Sequence, residues 1–379
     1  MHLGFLTPEY PHEKLGHSAG LGTSIKNMVG ALVKNEVKAT IFVYGQQIDE
    51  IFKDGDVVVH SIKKRKYKIG GWYLHRKFIQ RYVNKVVLLK KINAIEAPDW
   101  TGITAFMKFK CPLVIRFNGS DSYFCKIEGR KQKKKNFYFE KLALQGADYL
   151  LSVSEFTAQE TRKIFDLKKE IQVIPNSIDI NVFAPDESIK VEPFKMLYFG
   201  TIIRKKGVLE IPEIFNRVAN QIPNAEIYFA GGDVVDIKTG NSTCQLMMSA
   251  FDESHKSKVH YLGKLPYGEI KKEIQSSAVI ILPSYAEALP MTWIEAMAME
   301  KALVTSNVGW AEEVMVDGET GYTVNPRNHQ EYADRIIELL NDESLRQQMG
   351  KAARIKVEER FSNMVVAKKN IDFYRNIVK

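Results

Sequence analysis

The sequence predicts two α/β domains, each a doubly wound and mostly parallel sheet with helices on both faces. Three observations carry this. At 379 residues the chain exceeds what one ordinary core organises and points to two domains of roughly 180 residues each. Short apolar runs of strand type alternate with helix-period segments in both halves, the pattern of a sheet covered on both faces. Residues 174–188, Ile-Pro-Asn-Ser-Ile-Asp-Ile-Asn-Val-Phe-Ala-Pro-Asp-Glu-Ser, are dense in turn formers and read as the seam. The expected division is an N-terminal domain at 1–178, a second domain at 179–362 and a terminal helix at 363–379.

Taken in order, the first half opens on a buried strand at 2–7 and a glycine-containing loop. A helix follows from about Ser24, with Ile25, Met28, Val29, Leu32 and Val33 on one face. A strand at 39–44 comes next, and Asp54-Gly55 is a hairpin-turn dipeptide leading into the apolar run at 57–62. Further strands are expected at 92–95, 113–117 and 149–153. The second half restarts with a strand at 194–199 and continues with strands near 226–230, 259–261, 279–282 and 302–305. Its helices are expected around 207–221, 267–276, 290–300, 311–316 and 328–341. Two Rossmann-like domains facing each other leave a cleft at the carboxyl ends of their strands, where ligands of doubly wound folds bind.

With 45% hydrophobic and 26% charged residues, the composition is that of an ordinary globular enzyme. No run of about 18 uncharged apolar residues exists, so no membrane span is expected. The first residues lack the cationic and long apolar regions of a signal peptide. Cys111, Cys125 and Cys244 are scattered without metal-ligand spacing and are expected to be reduced, in a cytoplasmic setting. Charge is uneven: residues 60–141 hold 21 Lys and Arg against 5 Asp and Glu. The dense runs are 63–68 and 130–135, with Trp72, Tyr73, Phe78 and Tyr82 nearby. That surface, 63–91 and 126–141, is either a solvated lysine-rich face or a contact for the anionic inner face of a membrane. Nucleic acid is the least favoured partner, because no recognition motif accompanies the charge.

The chemistry-bearing stretch is Pro283–Ala298, which sets Glu287 and Glu295 eight residues apart across a strand end and a helix start. Pro290 suits a first helical turn, and Met291, Ile294, Met297 and Ala298 recur at helical spacing. Two carboxylates flanking free helix-start N–H groups make a cradle for a sugar diphosphate, or else an ordinary helix cap with an exposed glutamate. Phe199-Gly200-Thr201-Ile202-Ile203-Arg204-Lys205-Lys206-Gly207 follows the second half's first strand. Small residues there admit close backbone approach, and three cations in a row can neutralise a diphosphate, though such a loop is also often merely solvated. The first half's counterpart, Gly16-His17-Ser18-Ala19-Gly20-Leu21-Gly22-Thr23, departs from the dinucleotide fingerprint, so nicotinamide cofactors are not expected. It either cradles a phosphate or sugar or turns the chain. The one Asp-x-Asp triplet, Asp54-Gly55-Asp56, falls in the hairpin turn, and no essential metal or cofactor is expected.

In order and spacing these segments resemble the family-4 retaining glycosyltransferases of GT-B fold, over essentially the whole chain. The resemblance rests on the opening strand and glycine loop, on Ser152-Val153-Ser154-Glu155, and on Ile174–Asp179 through Pro185. It rests further on the 198–207 loop, on Pro283–Ala298 with its E-x7-E spacing, and on 316–324. It implies transfer of a sugar from a nucleotide-diphosphate donor, a UDP- or GDP-sugar, to a glycan or lipid-linked acceptor in surface polysaccharide or glycolipid synthesis. It also implies that the terminal helix returns to the first domain.

In the roles implied, Lys206 binds the diphosphate, with Gly200 and the backbone near Ala288, Leu289, Met291 and Thr292 around it. Thr201 stands where the family has an arginine, and Arg204 is the candidate replacement. Glu295 meets the ribose hydroxyls, Glu287 those of the transferred sugar, and Gly263, Lys264 and Leu265 lie near the nucleobase. On the acceptor side Asn118 occupies the place of a family histidine; it can hydrogen-bond a sugar but cannot titrate near neutral pH. Gly20, Leu21 and Gly22 form the acceptor-side loop. Asp99 and Trp100 either line that side or form a capped loop with a buried tryptophan. Two other functions fit less of the pattern: a membrane-binding protein with a relic cleft, and a nucleotide-sugar epimerase.

Overall fold

The computed structural model describes residues 1–16 and 18–378. His17, in the expected glycine loop, and Lys379, at the end of the expected terminal helix, lie outside the described residues. The chain forms two compact units, Met1–Ile178 together with Phe361–Lys379, and Asp179–Arg360.

The first unit is built on strands β1 (His2–Thr7), β2 (Lys38–Gln46), β3 (Glu50–Asp54), β4 (Val57–Lys63), β5 (Ala94–Pro98), β6 (Leu113–Phe117), β7 (Tyr149–Ser152) and β8 (Ile171–Val173). They lie in the order β3-β4-β2-β1-β5-β6-β7-β8. β3 runs antiparallel to β4, and the remaining neighbours pair parallel. Successive side chains leave a strand on opposite faces, so neighbours in sequence enter different cores. Phe5 and Ile41 pack with Val29 and Leu32 of α1 (Gly20–Lys34). Leu6 and Phe42 pack on the other side with Ile79 and Val83 of α2 (Gly71–Lys90). Helices α3 (Asp121–Ile127), α4 (Lys134–Gly146) and α5 (Glu155–Phe165) complete the layers.

The second unit carries a fully parallel sheet of β9 (Glu192–Phe199), β10 (Glu226–Ala230), β11 (Val259–Gly263), β12 (Ser277–Leu282), β13 (Ala302–Ser306) and β14 (Tyr322–Val324). The order is β11-β10-β9-β12-β13-β14. Every residue of β12 is buried, as a central parallel strand requires. Its helices are α6 (Ile211–Gln221), α7 (Thr243–Ser249), α8 (Tyr267–Ser276), α9 (Met291–Ala298), α10 (Ala311–Val314), α11 (His329–Asn341) and α12 (Glu343–Arg360).

The last helix, α13 (Asn363–Ile377), packs against α1 through Val366, Ile371 and Tyr374. A buried polar network fixes it there. Arg116 of β6 grips both carboxylate oxygens of Glu96 on β5, at 2.9 and 3.0 Å. It also donates to the Asn370 side chain at 2.6 Å and to the Ile174 carbonyl at 3.1 Å, while the Tyr374 hydroxyl donates to Glu96. A buried ion pair tolerates its lost hydration only when its remaining hydrogen-bonding groups are satisfied in this way.

Several boundaries differ from expectation for local reasons. α1 starts at Gly20 rather than near Ser24, because the Glu9 carboxylate accepts from the N–H groups of Ala19 and Gly22, at 3.1 and 2.7 Å. β5 begins at Ala94 rather than 92, since Lys91 caps α2 in the left-handed region and Ile92 N–H still donates back to Val87. Asp54 pairs with Val57, so the two loop residues are Gly55-Asp56 instead of Asp54-Gly55. The 207 helix start gives way to a 3-10 turn at Arg204–Lys206 and a helix from Ile211. α12 was not expected at all: its buried stripe, Arg346, Met349, Gly350, Ala353 and Val357, is narrow and poor in large apolar residues. β8, β14 and α7, three to seven residues long, are too short for periodicity to register.

Arg116→Met should strand Glu96 as an unpaired buried carboxylate and remove about 3–5 kcal/mol of stability. Urea unfolding followed by circular dichroism measures the loss, and an unchanged midpoint would refute the pinning role of the network.

Candidate active site

In the second unit, β9 lies between β10 and β12. The chain winds outward from this seam in opposite directions, which opens a crevice at the carboxyl ends of β9 and β12. Two loops meet there. After β9, Gly200 takes φ +133° and its N–H donates to Ala230 at 2.9 Å. The 3-10 turn Arg204–Lys206 then ends at Gly207, with φ +71°. A Cβ on Gly207 would lie 1.8 Å from the Pro283 carbonyl oxygen, so only glycine lets this turn rest on the end of β12. Tyr285 N–H donates to the Lys205 carbonyl at 2.8 Å, clamping the two loops together.

The clamp brings Lys206 into an ion pair with Glu287. Both side chains are largely removed from water, at 19% and 11% exposure, and Glu287 also accepts from Ser284 Oγ at 3.1 Å. Ala288 and Leu289 are buried below them. Pro290 then opens α9 with no side chain capping it. First-turn N–H groups, here those of Met291 and Thr292, have no intrahelical acceptor and favour an anion.

Glu295 lies one turn into α9, buried, and Tyr267 donates its hydroxyl to it at 3.1 Å. Burial pushes its carboxyl up to about 7, while the Tyr267 hydrogen bond and the Lys206 charge pull it back. Tyr267 begins α8 just after Gly263, Lys264 and Leu265, and so ties that segment to Glu295. Gly263 has φ +68°, and its carbonyl accepts from Gly231 N–H at 2.8 Å.

Arg204 makes a two-pronged ion pair with the buried Asp236, at 2.7 and 2.9 Å. This occupies two of its five N–H donors and holds the Asp236 carboxyl well below the usual range, with Thr239 assisting. Thr201 is exposed, and its carbonyl accepts from the Tyr198 hydroxyl at 2.8 Å.

In the first unit the corresponding seam lies between β1 and β5. A small pocket sits there, lined by Leu21, Ser24, Glu96, Arg116, Asn118 and Asn176 among others. Asn118 follows β6, and its N–H donates to Asp99 Oδ1 at 3.0 Å. Asp99 follows β5 and is fully buried; burial, with Glu140 adding, pushes its carboxyl up to about 7. Trp100 is 45% exposed, so the capped loop with a buried tryptophan is not what forms. Gly20, Leu21 and Gly22 belong to the first turn of α1 rather than to a loop. The anion position at that helix start is filled by Glu9, and a Cβ on Gly22 would meet Ser18 Oγ at 2.1 Å. Asp54 of the Asp-x-Asp triplet accepts from Tyr10 at 2.7 Å and pairs with Lys26 at 2.9 Å. Among the described residues no group of three or more His, Cys, Asp or Glu is placed to hold a metal ion.

Two family models tile the chain: "Glycosyltransferase Family 4" over residues 18–182 and "Glycosyl transferases group 1" over residues 179–356. The chain belongs to glycosyltransferase family 4. A curated relative of this family-4 glycosyltransferase is the capsular polysaccharide biosynthesis glycosyltransferase CapM of Staphylococcus aureus. It is 26% identical over 64% of this chain and 65% of CapM's own length. Among solved structures, sucrose-phosphate synthase from Thermosynechococcus elongatus superposes with a TM-score of 0.81 at 16% identity, covering 99% of this chain and 98% of that one. Anabaena HepE, solved with UDP and glucose, gives 0.76 at 16% identity, covering 99% and 100%. Such neighbours fix the fold as GT-B.

Tyr267, Asp236 and Ser284 were not singled out from the sequence. Asp236 alone left a trace, in the run Gly231-Gly232-Asp233-Val234-Val235-Asp236 after a strand. The Tyr267 and Ser284 contacts depend on side-chain direction.

Glu295 holds its proton in the folded state up to about pH 7 but loses it near the ordinary carboxylate value when unfolded. Stability therefore falls as pH rises through that window and stays lowered above it. Glu295→Gln removes the penalty, so its melting temperature should exceed wild type at pH 8, by the equivalent of on the order of 3 kcal/mol, and match it at pH 4. An equal offset at both pH values would contradict this.

Proposed function

We propose that this glycosyltransferase moves a sugar from a nucleoside diphosphate donor, UDP- or GDP-linked, to a hydroxyl of a glycan or lipid-linked acceptor, with retention at the anomeric carbon. Its setting would be surface polysaccharide or glycolipid assembly. The observation that carries the reading is the Lys206–Glu287 pair beside an uncapped helix start, at the seam of the second unit.

In the reaction the bond between the anomeric carbon and the donor's diphosphate oxygen breaks, and negative charge grows on the leaving group. Lys206 and the N–H groups of Met291 and Thr292 stabilise that charge; removing one such contact commonly raises the barrier by about 3 kcal/mol. Lys206 is pre-positioned by Glu287, whose carboxylate also accepts hydroxyls of the transferred sugar. Glu295, held by Tyr267, accepts the ribose hydroxyls, with Gly263–Leu265 beside the base. Arg204, held by Asp236, supplies field rather than a flexible contact. The acceptor's proton passes to the leaving phosphate oxygen as the new glycosidic bond forms, and Asn118 orients a hydroxyl without titrating. The CapM relative supports a role in polysaccharide assembly, and the UDP held by the HepE neighbour supports the donor class.

The test is a melting-temperature screen with UDP, GDP, ADP and CDP, repeated on Glu295→Ala. One nucleotide at about 100 times its dissociation constant should stabilise the wild type by ~2.7 kcal/mol, and the variant should lose the shift. With the matching nucleotide-sugar, proton NMR of the first product should show the donor's anomeric configuration retained, with a strong chelator present throughout. No shift with any nucleotide, or an inverted product, would overturn the reading.

A further inference from the structure

The basic residues of the first unit converge with exposed apolar residues on one surface. Lys63, Lys64, Lys66 and Lys68 are exposed in a stretch, 63–77, that holds no acidic residue, while Arg65 there is paired with Asp49 and Arg76 is buried. In this stretch Ile69 is 87% exposed, Trp72 45% and Leu74 41%. The start of α4 adjoins it: Trp72 stacks on Phe139 with centroids 5.1 Å apart, and Lys135 Nζ sits 5.9 Å from the Trp72 ring centre. Lys131, Lys133 and Lys134 are exposed alongside, as is Tyr138 at 54%. The acidic residues nearby in sequence are already engaged, Glu128 by Arg130 and Glu140 by the backbone of Thr101, Asp121 and Ser122.

We propose that the first unit docks on an anionic lipid bilayer through this surface, with Ile69, Trp72 and Leu74 entering the interface and the surrounding lysines meeting the headgroups. Two features decide the partner. Exposed lysines complement phosphate headgroups, and a largely exposed isoleucine in the same stretch gains only where hydrocarbon is within reach. A nucleic acid offers phosphates but would leave Ile69 and Leu74 unused, since base recognition of this kind relies on stacking. Tryptophan at the rim suits the headgroup boundary. No described helix is long and apolar enough to cross a membrane, so contact through this surface is peripheral. Beneath this surface the buried Arg76 of α2 donates to the Gly102 carbonyl at 3.3 Å, in the segment that carries Asp99 and Trp100.

Docking is measured on the full chain without nucleotide, by co-sedimentation with phosphatidylcholine vesicles with and without about one-third phosphatidylglycerol. The wild type should bind the anionic vesicles, lose binding in high salt, and ignore the neutral ones. Trp72 and Trp100 are half-exposed whereas Trp293 and Trp310 are fully buried, so quenching of tryptophan emission by brominated lipid reports insertion, and Trp72→Phe should reduce it. Lys131→Glu, Lys133→Glu and Lys134→Glu combined should weaken binding on the order of 100-fold, and Ile69→Ser should weaken it with the melting temperature unchanged. Equal binding to both vesicle types, wild-type binding by these variants, or binding to a single-stranded oligonucleotide but not to vesicles would overturn the proposal.

Discussion

Everything proposed for the second unit depends on a close backbone approach, the Gly207 turn lying against the Pro283 carbonyl. A side chain at 207 cannot be accommodated there, because its first carbon would fall 1.8 Å from that oxygen. The contact joins the loop after β9 to the loop after β12 and forces Lys206 and Glu287 together. An ammonium at 19% exposure would be costly alone, and so would the carboxylate. Paired, they form a charged site that needs no rearrangement to exist. A diphosphate arriving beside them meets a cation already in place; at about 4 Å and an effective dielectric near 20, each such charge pair is worth about 4 kcal/mol.

The two units use charge in contrasting ways. The second seam gathers a cation, a helix start and a raised carboxylate into a small region, which suits a dense anion joined to neutral hydroxyls. The first seam keeps its strongest charges busy. Arg116 and Glu96 are consumed in fastening α13, and Glu9 fills the start of α1. The other polar side chains lining its pocket, Asn118, Asn176 and Ser24, are neutral amides and a hydroxyl.

Much of this was legible in the chain because strand–helix alternation and loop composition are local properties. β1, β6, β10 and α8 fall where apolar period and turn residues place them; Glu287 and Glu295 stand out by their eight-residue spacing, and Lys206 is picked out of its run of three cations by the family resemblance. Elements whose stability comes from their neighbours were not legible. α12 has a thin buried stripe with Gly350 pressed against the Glu300 carbonyl, which no periodicity announces. The partners of the site residues were hidden for a related reason. Tyr267 and Glu295 are 28 residues apart and Arg204 and Asp236 are 32 apart, and only the sheet order brings them together. Trp100 shows the converse: a large ring suggests burial, yet it stays half in water.

The most direct test is calorimetric titration of the nucleoside diphosphate that stabilises the wild type, on wild type, Lys206→Met and Glu287→Gln. If Lys206 is the cation that meets the diphosphate and Glu287 its positioning partner, Lys206→Met should bind at least tenfold more weakly. Glu287→Gln should bind the diphosphate as well as wild type or better, having lost a neighbouring negative charge, while failing to transfer sugar. Wild-type affinity in Lys206→Met would contradict the account at its centre.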